Sequence, residues 1–180
     1  MISLFLYWLY SLMSIQQTLF KAQRCVQAGQ YDAAIKLYRG LLRLTSKQPQ
    51  INSLLGAVLI QVGQHEAASD VLEVAFAAEP ANLEHWVRLI VAHHRAGHVH
   101  RARELLELGA ELGVPQNTLD VYRKDLSEPP ERSLQALDKL IVTGKRLNAE
   151  IAARLLVADY PESPAAQACL ERVLTMETAE

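Results

Sequence analysis

The sequence predicts an all-α protein, a solenoid of stacked antiparallel helix pairs. Three observations carry this expectation. A glycine recurs every 34 residues, at Gly29, Gly63 and Gly97. An alanine follows each by five residues, at Ala34, Ala68 and Ala102, and leucines trail it at helical spacing. Alternating runs of Val, Ile and Thr, the strand signal, are missing, while the good helix formers Leu, Ala, Gln, Glu and Arg abound.

Each unit makes sense as two helices. The glycine closes the first, because it adopts a left-handed backbone without a Cβ penalty. The alanine opens the buried face of the second and lets the helices approach closely. Leu37, Leu41 and Leu44 follow in the first unit, Leu72 and Phe76 in the second, and Leu105, Leu106 and Leu112 in the third. A fourth unit has Gly144 and Ala149 at the same offset. Pro80 and Pro161 stop two of the second helices.

This pattern of small residue, glycine, alanine and proline in a 34-residue frame resembles the tetratricopeptide repeat. The resemblance implies a right-handed superhelix. Residues 49–82 match best, with Leu55, Gly56, Gly63, Ala68, Ala75 and Pro80. Residues 15–48 have Ala22, Gly29, Tyr31 and Ala34, but Leu41 and Ser46 where alanine and proline are usual. Residues 83–116 have Trp86, Leu89, Gly97 and Ala102, with Gly109 at the second alanine and Pro115 one place late. Residues 130–163 have Leu137 where a small residue is usual. Between the last two, 117–129 holds a stripe of Leu119, Tyr122 and Leu126, which reads as a short extra helix capped near Asn117. Residues 164–177 form a last helix, with Leu170, Val173 and Leu174 covering the end of the array. The whole of 15–180 reads as a single array. The stretch from Arg103 to Leu174 also resembles, loosely, the repeat arms ahead of some bacterial glycosyltransferase and sulfotransferase domains.

Residues 1–14 stand apart. The stretch 2–13 reads ISLFLYWLYSLM, and the first basic residue is Lys21. Taken as helix, 2–15 spans roughly 21 Å, short of a hydrocarbon core of about 30 Å. Three readings stay open: a cap on the first repeat, a segment dipping into a membrane interface, or natural translation from Met13.

Composition excludes several functions. Half the residues are hydrophobic (50%), so the chain is not disordered. A net charge of −2 argues against broad nucleic-acid binding. Cys25 and Cys169 have no metal or redox spacing and read as free thiols. His94 and His98 are four apart, as metal ligands on one helix face can be, but Gly97 falls between them and no third ligand completes a set. His93 sits at a position that is usually core. No phosphate loop or catalytic constellation appears, so no metal, cofactor or enzymatic activity is expected.

The resemblance implies where a partner sits, because first helices line a concave groove in this family. The positions that match are Gln23 and Gln27 in the first repeat; Ser53, Ala57 and Gln61 in the second; and Glu84, Val87, Arg88, Val91, His94 and Arg95 in the third. Family members that grip acidic chaperone C-termini use a Lys, Asn and Arg clamp. Its matching positions here hold Leu19, Gln23, Leu54, Glu84 and Arg88, and Arg88 alone fits. Without charge-assisted donors a carboxylate is not desolvated cheaply, so that clamp is not expected.

The expectation is therefore a soluble bacterial scaffold, cytoplasmic, that holds a protein or peptide partner. Alternatives are a secretion-system chaperone, an accessory arm of a glycosyl- or sulfotransferase, and a factor attached to a membrane through 2–13. Exposed end faces and the apolar N-terminus leave a homodimer open.

Overall fold

The computed structural model describes residues 2–44 and 48–176, and for 2–13 the backbone alone. Ser46 therefore lies outside the described residues. So do the side chains of 2–13, on which the capping and membrane readings rest. All described regular structure is helical.

The helices come in pairs: α1 (Ile2–Gln27) with α2 (Tyr31–Leu44), α3 (Pro49–Gln61) with α4 (His65–Ala78), and α5 (Leu83–Ala96) followed by α6 (Val99–Glu111). A single helix, α7 (Gln116–Asp125), precedes the pair α8 (Glu131–Val142) and α9 (Arg146–Asp159), and α10 (Pro164–Thr175) comes last. The chain forms two compact units, Met1–Ala92 and His93–Glu180, and the boundary falls inside α5.

One local device explains the glycine and alanine period. Gly63 has φ +77°. Its N–H bonds to the carbonyl of Ile60 at 3.1 Å, and the N–H of Gln64 bonds to the carbonyl of Leu59 at 2.9 Å. This is the paired bonding of a Schellman turn, which satisfies the last carbonyls of α3. The N–H of Ala68 then reaches the carbonyl of Gln64 at 3.0 Å, the first bond of α4, and the Ala68 methyl is fully buried. The same turn recurs at Gly29, Gly97 and Gly144. It occurs again at Gly113, which closes α6 and which the repeat frame does not announce.

In the first unit α2 packs on both α1 and α3, and α3 packs on α4. Tyr38, Ile51, Leu55, Leu59 and Leu72 are almost fully buried there. Gly56 faces Leu72 so closely that a β-carbon at 56 would stand 2.4 Å from the Leu72 Cγ. In the second unit a cluster of Leu137, Ala149, Ala153, Leu156, Tyr160, Ala166 and Val173 forms the core. Leu137 and Ala153 hold the places that Gly56 and Leu72 hold in α3 and α4, with large and small exchanged. The leucine that departs from the repeat pattern is thus matched by an alanine across the pair.

Two leucines expected on buried stripes are exposed instead. Leu44 ends α2 and is 77% exposed. Leu112 lies at the C-cap of α6, beyond the last full turn, and is 42% exposed. The extra helix starts at Gln116, one residue before the expected cap, with Pro115 at the N-cap position. Leu119 and Leu126 are buried beneath it, and Tyr122 is half-buried. On α10, Val173 is buried while Leu170 and Leu174 are half-buried. That helix starts cleanly because the Ser163 hydroxyl accepts the N–H of Ala166 at 3.2 Å.

Candidate partner-binding cleft

In the first unit the groove positions lie on α1, α3 and the first part of α5. Gln23 and Gln27 are exposed on α1, as is Gln61 on α3. Ala57, Val87, Arg88 and Val91 are half-buried, Glu84 is exposed, and Ser53 is buried. One hydrogen bond ties two of the helices together: Arg88 Nη1 donates to Ser53 Oγ at 2.6 Å. The other arm of the guanidinium pairs with Glu84, one turn earlier on α5. Arg88 is therefore held by a neutral hydroxyl on one side and a carboxylate on the other.

Around this link lies a cleft of about 250 Å³, lined by Gln50, Ser53, Leu54, Glu79, Asn82, Glu84, His85 and Arg88. Asn82 shapes its edge. Its side-chain carbonyl accepts the N–H of Glu84 at 3.1 Å, which caps α5, and its amide donates to Glu79 at 3.1 Å. His85 is 3% exposed, and its Nδ1 has no hydrogen-bond partner; the nearest carboxylate oxygen, on Glu79, is 3.7 Å away. A buried polar atom without a partner costs about 1–3 kcal/mol. Sequence reasoning missed His85, Asn82 and Glu79. His85 is not among the positions that the resemblance places in the groove, and the loop before α5 carried no motif.

The cleft sets two carboxylates, Glu79 and Glu84, against one guanidinium. Glu84 stands where a chaperone-tail clamp needs a cation, and Arg88 is already paired to it. The net charge around the cleft is negative.

His94 and Arg95 belong to the second unit. Arg95 is exposed. His94 Nε2 lies 3.0 Å from the carbonyl of Glu128, so that nitrogen carries the proton and donates. Its ring is 6.3 Å from that of Tyr160. Burial lowers the His94 pKa, against the raising effects of the Glu128 carbonyl and Asp125. His98 turns elsewhere, its Nδ1 lying 3.3 Å from Nδ1 of the buried His93. His94 and His98 thus do not converge, and no metal-holding group of His, Cys, Asp or Glu exists among the described residues. Both cysteines are free and half-buried.

Close by, Tyr160 is buried with no partner for its hydroxyl. Burial and the neighbouring Asp159 carboxylate push its pKa up to about 12. Arg103 lies 5.7 Å from the Tyr160 ring centre and donates to the Asp159 carbonyl at 2.6 Å. This array fixes the start of the α9–α10 turn.

Residues 26–86 match the tetratricopeptide repeat family model. Among solved structures, the Sgt2 TPR domain from Aspergillus fumigatus is similar, at 23% identity and TM-score 0.55 over 65% of this chain and 85% of that one. The first TPR of Spaghetti (RPAP3), bound to the HSP90 peptide SRMEEVD, aligns at 17% identity and TM-score 0.55, over 63% and 94% of the two chains. The TPR2AB domain of yeast Sti1 in its pHSP90 complex aligns at 17% identity and TM-score 0.53, over 91% and 70%. At these identities the likeness is one of fold. No curated protein matches the sequence.

Proposed function

We propose, from the tetratricopeptide repeat match over residues 26–86, that this chain is a non-catalytic scaffold holding a peptide segment of a partner protein against α3 and α5. The observation that carries the reading is the cleft around Arg88, with the buried, unpartnered His85 Nδ1 in its wall. Two of the similar structures are complexes with HSP90 or its peptide, which supports a peptide ligand on this fold. The acidic HSP90 tail itself is not the proposed ligand, because Glu79 and Glu84 would repel it. The proposed ligand is an extended or helical segment whose N–H groups meet Glu79 and Glu84, with shallow apolar contacts to Val87 and Val91. Gln23, Gln27, Ala57 and Gln61 flank that path on α1 and α3.

Differential affinity capture tests this. Polypeptides retained by the wild-type chain are compared with those retained by Val87→Glu and Arg88→Glu, and by Asp70→Lys, at an exposed position on α4, as a control. The reading expects a partner lost with both cleft variants and kept by the control. A verified partner whose affinity is unchanged by both cleft substitutions would show that it binds elsewhere.

A further inference from the structure

The net charge of −2 conceals a sharp asymmetry. Residues 1–64 carry six Lys and Arg against the single acid Asp32, whereas residues 65–180 carry twelve against nineteen. Five of those six, Lys21 and Arg24 on α1 and Lys36, Arg39 and Arg43 on α2, are exposed. None forms an ion pair among the described residues. Elsewhere, exposed arginines such as Arg123, Arg154 and Arg172 do pair with carboxylates. The three on α2 follow at i, i+3 and i+7, so they share one side of the helix.

We propose that the α1–α2 pair docks this protein on an anionic membrane surface, independently of the peptide cleft. Two features of the pair point to lipid. First, α1 is one continuous helix from Ile2 to Gln27, and its stretch 2–13 carries no charge and includes Tyr7, Trp8 and Tyr10. Tyr and Trp concentrate at membrane interfaces. At 1.5 Å per residue the stretch is roughly 18 Å long. That suits lying in an interface, and no helix among the described residues is long and apolar enough to cross a membrane. Second, α2 runs back along α1 from the turn at Gly29. Arg43 and residue 15 are equally distant from that turn in sequence, so the basic side of α2 ends about level with residue 15, two residues from the C-terminal end of the apolar stretch. Arg39 and Arg43 also frame an open depression of about 560 Å³ with Leu42, Leu55 and Val71.

Neither signal suffices alone. A short apolar segment gives weak, reversible attachment, and stable docking needs a basic patch beside it. Each Lys or Arg at an anionic surface strengthens binding about fivefold. Duplex nucleic acid, the other polyanion a basic face could meet, offers nothing to the apolar stretch.

Vesicle flotation of the full chain tests the proposal, with vesicles of phosphatidylcholine alone and of phosphatidylcholine mixed with phosphatidylglycerol. The chain should float with the mixed vesicles, fail to float with the neutral ones, and be released by high salt. Lys36→Gln/Arg39→Gln/Arg43→Gln should weaken binding by about 100-fold with an unchanged circular dichroism spectrum, since all three side chains are exposed. Phe5→Ser/Trp8→Ser should also release the chain. Equal flotation with both kinds of vesicle, or unchanged flotation of either variant, overturns the proposal. So does binding to duplex DNA that the triple variant abolishes, without vesicle binding.

Discussion

Gly56 on α3 and Leu72 on α4 meet with no room between them for a β-carbon, which would lie 2.4 Å from the Leu72 Cγ and 2.7 Å from a Cδ. Leu72 is fully buried and cannot swing away. Gly56→Ala gains helix propensity of up to about 1 kcal/mol. It also forces overpacking that costs about 1–3 kcal/mol. The expected outcome is a net loss of stability in urea unfolding. Adding Leu72→Ala should be less than additive with it, because each change relieves the other's defect.

Tyr160→Phe is expected to leave the second unit as stable or more stable. The hydroxyl is buried without a partner, and removing such a group recovers about 1 kcal/mol. Thermal unfolding at neutral pH checks this. A loss of more than about 1 kcal/mol would mean that the hydroxyl is hydrogen-bonded in solution.

Acid should destabilise the second unit through His94. Burial holds its pKa below the ordinary value of 6.5. The unfolded chain therefore takes up the proton first as pH falls. Stability is full above the unfolded pKa, is lost as pH drops below about 6.5, and levels off below the folded pKa. His94→Gln, which retains an N–H donor toward the Glu128 carbonyl, should flatten that part of the pH profile of the melting temperature.

Arg88→Met should cost about 1–2 kcal/mol, because it strands the buried Ser53 hydroxyl. Ser53→Ala should cost less, since Arg88 keeps Glu84 and its half-exposed side chain can meet water. A double-mutant cycle in urea should report coupling of about 1 kcal/mol between Ser53 and Arg88.

Much of the fold was legible because the repeat writes its turns into the sequence. Gly29, Gly63, Gly97 and Gly144 each need a positive φ, and the alanine five residues later needs close packing, so both recur in frame. Gly113 escaped notice because it closes a second helix and stands outside that frame. Leu44 and Leu112 were misjudged because periodicity says which side a residue is on, not whether the neighbouring helix extends far enough to cover it. The candidate cleft was legible only in part. Ser53, Glu84 and Arg88 followed from groove positions, whereas Glu79, Asn82 and His85 enter through a loop and a helix start that no periodic pattern describes. The basic α1–α2 pair was hidden by the near-neutral total charge.

Site-specific photocrosslinking tests the scaffold reading most directly. A photoreactive side chain is placed at Ala57, at Val87, or at the exposed Asp70 on α4, and the captured partner is mapped by mass spectrometry. The account predicts crosslinks from Ala57 and Val87 to one continuous segment of the partner, and none from Asp70. Crosslinks from Asp70 alone, with Ala57 and Val87 silent, would contradict it.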